Sequence, residues 1–172
     1  MEAFWQLYFT QTGAGWAVLG AMIAVMFGGI GSAQGIRIAG AQAAGALSEK
    51  PELFGKLLVL MALPGTQGFY AFIIAIFTAA RTGILAGKPV ISPIQGLALL
   101  AVGIFAGIVQ WRSAIFQGEA SAAAINLTSR RPEEAGRSIL IPALVETYAV
   151  VALLASILFI MWVTAPSFTP AP

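Results

Sequence analysis

The chain has 172 residues, of which 59% are hydrophobic and only 9% are charged, and its formal net charge is +2. Soluble domains carry roughly 25% charged residues, so this composition excludes a protein whose whole surface faces water. The chain has no cysteine and no histidine, which excludes thiolate or imidazole metal sites and catalysis by either side chain. The nine basic residues are spread out and form no stripe, so we expect no binding of nucleic acid.

Four long segments contain no Asp, Glu, Lys or Arg. They are residues 3–36, 57–80, 89–111 and 147–172. Each is longer than the roughly 20 apolar residues that cross a hydrocarbon core, so the sequence predicts an all-α membrane protein with four transmembrane helices. No basic region precedes the first apolar segment, so we expect that segment to be retained rather than cleaved as a signal peptide.

Three polar breaks that contain proline separate the predicted helices. In chain order we predict helices at 13–46, 55–82, 94–127 and 135–164. The chain then divides into a first transmembrane hairpin, an extracytoplasmic linker, and a second hairpin with a C-terminal tail. These three parts are residues 1–82, 83–93 and 94–172.

The two hairpins form an internal repeat. SEKPELFGK at 48–56 shares Ser, Pro, Glu and Gly at one fixed offset with SRRPEEAGR at 129–137, and 63–72 resembles 141–150. Two spans per repeat preserve the topology, so the copies are predicted to lie parallel in the membrane. Most basic residues flank the two hairpin tips, so the positive-inside rule predicts cytoplasmic tips and extracytoplasmic termini.

Glycine is concentrated in predicted helices 1 and 3, whereas helices 2 and 4 carry bulkier Leu, Ile and Phe side chains. Small residues let helices approach closely in lipid. Two interpretations remain open at this point. Helices 1 and 3 either pair in the ordinary way, or they form the inner layer of a homo-oligomeric ring whose outer layer is helices 2 and 4.

One carboxylate, Glu146, lies deep within predicted helix 4. A charge there costs at least ~2.5–3.5 kcal/mol on insertion scales, and such residues usually mark ion or proton pathways. The alternative is a structural carboxyl group that stays protonated and hydrogen-bonded. We favour a site for a cation.

Counting from the hairpin tips places Thr66, Gln67, Gln117 and Glu146 in one layer of the membrane. Hard cations prefer several oxygen ligands, whereas a proton needs only the carboxyl group, so the layer favours Na⁺ over H⁺. The alternative is that Gln and Thr are interhelical hydrogen-bonding residues. Tyr70 lies on the same helix face as Thr66 and Gln67, where its hydroxyl either donates to Glu146 or simply packs.

Two further pairs have open roles. Pro64 and Pro142 each precede the polar layer and remove a backbone donor, which either frees a carbonyl for an ion or only kinks the helix. Arg112 and Glu119 are seven residues apart on helix 3, on a face roughly opposite Gln117. They could pair across the inner surface of a ring, and we expect a structural role.

Three motifs carry a resemblance to a known family: LPGTQGFY at 63–70, IFQGEASAAAIN at 115–126 and ALVETYAV at 143–150. The chain resembles the membrane rotor subunit (the c, K or proteolipid subunit) of V-type ATPases, in the sodium-translocating bacterial branch. The resemblance implies an Na⁺ site in which Tyr70 is bonded to the glutamate. Its implied ligands are the Leu63 carbonyl, Thr66, Gln67, Gln117 and Glu146. Glu119 departs from the pattern, because the family carries a basic residue there.

The resemblance also implies the assembly. It predicts a homo-oligomeric ring in a cell inner membrane, surrounded by lipid, with a stator subunit that bears an Arg and a central stalk that docks on the tips near Pro51 and Pro132. The chain would be a non-catalytic subunit of an ATP-driven rotary pump. The alternatives are the same rotor carrying H⁺, a stand-alone channel or small transporter bundle, and a structural scaffold.

Overall fold

A computed structural model describes residues 1–166 and 168, so residues 167 and 169–172 of the predicted C-terminal tail lie outside the described part. Four helices are long and apolar enough to cross a membrane, and their ends lie within a few residues of the predicted ones. We call them the first, second, third and fourth spans: Ala14–Glu49, Pro51–Arg81, Pro93–Arg130 and Pro132–Val163. The prediction of an all-α membrane protein with four spans is confirmed.

A short helical segment precedes the first span, and the sequence analysis did not predict it. It comprises an α-helical turn at Glu2–Trp5 and a π-helical turn at Gln6–Gln11. Aromatic packing holds it, since the rings of Trp5 and Phe9 stack with centroids 4.4 Å apart. Trp16 Nε1 also donates to the Phe9 carbonyl at 3.2 Å. The segment is therefore fixed to the start of the first span.

Prolines interrupt the second and fourth spans. The second span contains 3₁₀ turns at Pro51–Leu53 and Leu63–Gly65, with α-helices at Phe54–Ala62 and Thr66–Arg81. The fourth contains a 3₁₀ turn at Pro132–Glu134 and α-helices at Ala135–Ser138 and Leu140–Val163. Both spans begin a few residues earlier than predicted, because a proline fits the first position of a helix, where no donor is needed.

The first and third spans pack backbone to backbone through glycines. A Cβ atom added at Gly103 would overlap the Gly20 carbonyl oxygen, and one at Gly118 would stand 2.5 Å from that of Gly35. In both pairs the third-span glycine lies 83 positions after its first-span partner. This constant offset means that the two spans run parallel, as the repeat predicts.

The second span lies in the groove between the first and third spans, with Ala71 against Gly28 and Gln67 against Gln117. The fourth span rests mainly on the third and contacts the second less extensively. As a result, 33% of the residues in the apolar stretch of the second span are buried, but only 17% of those in the apolar stretch of the fourth. The fourth span keeps an uncovered face.

Polar contacts tie the two hairpins together at both ends. At the tips, Lys50 Nζ donates to the Ser129 carbonyl at 2.7 Å and Lys56 Nζ donates to the Pro132 carbonyl at 3.1 Å. At the other end, Arg81 Nε donates to Thr164 Oγ1 at 3.1 Å, and Ser92 caps the third span in a reciprocal bond with Gln95. The segment between the second and third spans turns at Gly83 and Gly87, whose φ angles are positive. Its extracytoplasmic position stays a prediction.

Candidate ion-binding site

Glu146 lies half-buried near the middle of the fourth span, and each of its carboxylate oxygens accepts a hydrogen bond from another span. Tyr70 Oη of the second span donates to Oε1 at 2.5 Å. Gln117 Nε2 of the third span donates to Oε2 at 3.2 Å and also to the Pro142 carbonyl at 3.1 Å. Three spans therefore fix the position of one carboxylate.

The network continues from Gln117 into the second span. Gln67 and Gln117 are both fully buried, and Gln67 Nε2 donates to Gln117 Oε1 at 2.6 Å. Thr66 Oγ1 donates to Gln67 Oε1 at 3.4 Å and to the Leu63 carbonyl at 3.0 Å. All six residues singled out by the sequence analysis thus belong to one hydrogen-bonded cluster.

The proline turn in the second span shapes the Leu63 end of the cluster. Pro64 lies in the 3₁₀ turn Leu63–Gly65, and the Leu63 carbonyl accepts from the backbone and the hydroxyl of Thr66. Ser32 of the first span supports this turn, since its hydroxyl donates to the Gly65 carbonyl at 3.2 Å and accepts from the Gly68 amide at 2.8 Å. The turn therefore brings a backbone oxygen and two side-chain oxygens to the same place.

Charge and ligand type define what the cluster can hold. Within residues 1–166 and 168, no three His, Cys, Asp or Glu side chains come together as metal ligands. The cluster offers one carboxylate together with neutral amide, hydroxyl and carbonyl oxygens. One negative charge among neutral oxygens balances a singly charged hard cation better than a divalent one.

Two polar residues of the third span were missed by the sequence analysis. Ser113 Oγ lies 3.5 Å from Gln67 Nε2. Gln110 is fully buried and its Nε2 donates to the Ala149 carbonyl at 3.0 Å, while its Oε1 has no partner in the described part of the chain. Their spacing contained the signal, because residues at i, i+3 and i+7 (110, 113 and 117) share one helix face.

Arg112 and Glu119 do not pair within the chain. Both are exposed, and the Arg112 guanidinium lies 4.8 Å from the centroid of the Phe116 ring. In the described residues the one ion pair joins Arg137 to Glu134 at the second tip. The structural role expected for Arg112 and Glu119 stays a prediction.

Comparisons with known proteins agree with the repeat and with the resemblance. The sequence model of the family of ATP synthase C subunits matches the chain twice, at residues 19–78 and 100–159. The V-type sodium ATPase subunit K of Enterococcus hirae is 38% identical over 145 residues, which is 84% of this chain and 90% of that protein. The A-type ATP synthase subunit K of Methanocaldococcus jannaschii is 37% identical over 145 residues, which is 84% of this chain and 61% of that protein.

A third similar protein is named as a subunit of a proton ATPase. The V-type proton ATPase 16 kDa proteolipid subunit of Chrysotila carterae is 32% identical over 91 residues, which is 52% of this chain. The two family matches begin 81 residues apart, which is also the offset between the two hairpin tips. The predicted pair of repeated hairpins and the predicted resemblance are confirmed, and the chain belongs to the family of ATP synthase C subunits, with two copies of the family's helical hairpin in tandem.

Proposed function

We propose that this chain is a rotor-ring subunit of a V-type ATPase, which binds Na⁺ at Glu146 and carries it across the membrane as the ring turns. The observation that carries the proposal is the cluster around Glu146, where oxygen-bearing side chains from three spans meet at the centre of the fold. The E. hirae relative, which the chain matches over 90% of that protein's length, is named as a sodium ATPase subunit.

The oxygens of the cluster favour Na⁺ as the ion carried. The proposed ligands are the Leu63 carbonyl, Thr66, Gln67, Gln117 and Glu146. Both glutamine amides donate within the cluster, so binding of a cation would require their oxygens to turn toward it. Tyr70 keeps the carboxylate oriented through its bond to Oε1, and Oε2 becomes available to the ion once the Gln117 amide turns.

Electrostatics explains why such a site suits a rotating carrier. A bare carboxylate that faces hydrocarbon is strongly disfavoured, whereas a carboxylate paired with Na⁺ among neutral oxygens is close to neutral. An ion enters from one side of the membrane, neutralises Glu146 and travels past lipid. An Arg of the stator subunit then displaces it on the other side.

The proposed partners follow from the position of each part of the chain. The hairpin tips, which Lys50 and Lys56 bind to each other, form a single surface on which a cytoplasmic central stalk docks. The tips lie in the cytoplasm and both termini lie outside, in a cell inner membrane. ATP is hydrolysed in a soluble head, so this chain makes and breaks no covalent bond.

Labelling with a hydrophobic carbodiimide tests the ion. This reagent modifies protonated carboxyl groups in apolar surroundings, and we expect it to modify Glu146 of the purified ring. Added NaCl should suppress the modification, because bound Na⁺ replaces the proton that the reaction requires. Mass spectrometry of the peptide that contains residue 146 measures the adduct.

Two controls decide how the result is interpreted. KCl at the same ionic strength should not protect, and Glu146→Gln should abolish the adduct. Equal modification with and without NaCl would contradict the sodium site, and it would favour a rotor that carries H⁺ with the glutamines as interhelical hydrogen-bonding residues.

A further inference from the structure

The exposed face of the third span repeats the buried face of the first. The repeat distance is 81 residues, from both the tips and the family matches. Adding 81 to the number of a first-span residue that is buried against the third span gives the equivalent third-span residue, and that residue is exposed. The buried residues are Gly20, Ala24, Gly31 and Gly35, and their equivalents are Ala101, Phe105, Arg112 and Phe116.

The same relation holds in the opposite direction. Third-span residues that pack on the first span correspond, 81 positions earlier, to exposed first-span residues. The packed residues are Gly103, Gly107, Ala114 and Gly118, and their equivalents are Met22, Met26, Ala33 and Arg37. Each repeat thus has one face for the repeat that follows and another for the repeat that precedes it. A single chain makes one such contact and leaves both outer faces free, which is the condition for head-to-tail assembly.

The fourth span lacks one of the two neighbours that its equivalent, the second span, has. The second span is covered by the first and third spans, whereas the fourth is covered by the third and is half as buried. By the repeat, the missing neighbour of the fourth span is the first span of another copy. The uncovered faces of the third and fourth spans therefore fit one occupant, a second copy of this chain.

The repeat also sets the register of this contact. Inside the chain, facing residues are 83 positions apart. Going from one copy to the next shifts the pairing by two repeat distances, or 162 positions. A third-span residue therefore faces the first-span residue of the neighbouring copy whose number is lower by 162 less 83, which is 79. Phe105 faces Met26 of the neighbouring copy, and Phe116 faces Arg37. Glu119 follows Phe116 on the same exposed face and lies three residues, or about 4.5 Å, from the level of that Arg37.

Charge complementarity supports this register. Arg37 and Glu119 are both exposed, and neither takes part in an ion pair within the described residues of a single chain. Glu119 lies two residues beyond Gln117, whose amide touches Glu146, so both charges lie near the depth of the ion site. Charges at this depth pair with one another or line water-filled spaces.

We propose that neighbouring copies meet at a seam between the third span of one copy and the first span of the next, and that a Glu119–Arg37 ion pair crosses this seam. The third-span face consists of Phe105, Phe116 and Glu119. It packs on the first-span face of the next copy, which consists of Met22, Met26 and Arg37. Phenylalanine and methionine replace the glycines of the contact inside the chain. The seam is therefore wider than that contact, and the inner helices of the assembly alternate between close and wide spacing. The proposal rests on ring assembly but not on which ion the ring carries.

Cross-linking tests the register. The chain has no native cysteine, so the double variant Phe105→Cys with Met26→Cys offers two thiols at the seam. A bifunctional thiol reagent with a short spacer should join copies into a ladder of oligomers on a denaturing gel. Ile94→Cys with Met26→Cys is the matched control, since its two positions differ in level by about 16 Å, and it should give no ladder.

The outcomes separate the seam from the rotor itself. Cross-links confined to single chains, or equal ladders from both pairs, would overturn the seam if the uncross-linked protein still has the mass of a ring. A protein that never exceeds a few copies by mass would overturn the seam and the proposed rotor together.

A charge exchange tests the ion pair. Arg37→Glu and Glu119→Arg should each lower the temperature at which the ring dissociates in detergent, because each places like charges together. The variant with both changes should recover most of that loss, which a merely damaged fold would not do. Single variants as stable as the wild type, or a double variant no better than the worse single one, would overturn the pair.

Discussion

At the scale of single residues, the properties of the site depend on hydrogen bonds to Glu146 from two other spans. Gln117 is central to them, because its amide group contacts Gln67, Glu146 and the Pro142 carbonyl together. Its oxygen is also one of the proposed ligands of Na⁺, and loss of a group that holds or orients a metal ligand typically costs roughly 10- to 100-fold in affinity. Loss of Gln117 should therefore weaken the site more than loss of an equally buried amide elsewhere.

We predict that Gln117→Leu raises the NaCl concentration needed for half-protection of Glu146 against carbodiimide by about 10- to 100-fold, because it removes one of the proposed oxygen ligands of Na⁺. Gln110→Leu is the matched control. It removes a fully buried glutamine from the same helix face, but its hydrogen bond goes to Ala149 and not to the cluster. A similar shift in both variants would mean that the effect comes from the packing of the third span rather than from the ion site.

At the scale of the helices, glycine determines how the first and third spans approach. A Cβ atom at Gly103 would overlap the Gly20 backbone, and backbone atoms cannot move aside as a flexible side chain can. In lipid, close packing of this kind replaces the hydrophobic effect as the force between helices. The close contact also sets the position of Gln117 relative to the second span, because Gln117 and the glycines of the contact lie on the same packed part of the third span.

We predict that Gly103→Ala lowers the stability of the assembled protein by ~1–3 kcal/mol, the usual cost of overpacking. Thermal unfolding in detergent, followed by circular dichroism, measures it. Gly45→Ala gains the same helix propensity, but nothing lies within 4 Å of its added Cβ atom, so its unfolding temperature should not fall. An equal loss in both variants would contradict a specific role for the close contact.

The sequence predicted the spans and the site side chains for identifiable reasons. Long segments without charged residues indicate spans that face lipid, and isolated polar residues within predicted helices, such as Gln67 and Gln117, are conspicuous. The role of the Leu63 carbonyl could not be derived in the same way, because it depends on the 3₁₀ turn that Pro64 imposes. Nor could the N-terminal turns, whose order comes from stacking of Trp5 on Phe9 rather than from a periodic pattern.

At the scale of the whole molecule, the chain is two repeated hairpins, of which the second carries the carboxylate of Glu146. The Leu63-Pro64 motif of the second span matches the Ile141-Pro142 motif of the fourth. This alignment places Gly68, which packs near Ser32 and carries no charge, at the position of Glu146. Each chain therefore contributes one proposed ion site for its four spans. In a rotor every copy must pass the stator in turn, so the sites of one ring do not work independently.

This dependence gives a prediction for rings of mixed composition. When wild-type chains are co-expressed with Glu146→Gln chains, ATP-driven Na⁺ uptake into vesicles should fall much more steeply than the mutant fraction rises. A single copy without its carboxylate stops the rotation of the ring that contains it. Co-expression with Gln110→Leu chains, which keep the carboxylate, should leave uptake close to that of the wild type. A linear fall with the Glu146→Gln fraction would instead indicate chains that transport independently, as a small channel or transporter bundle would.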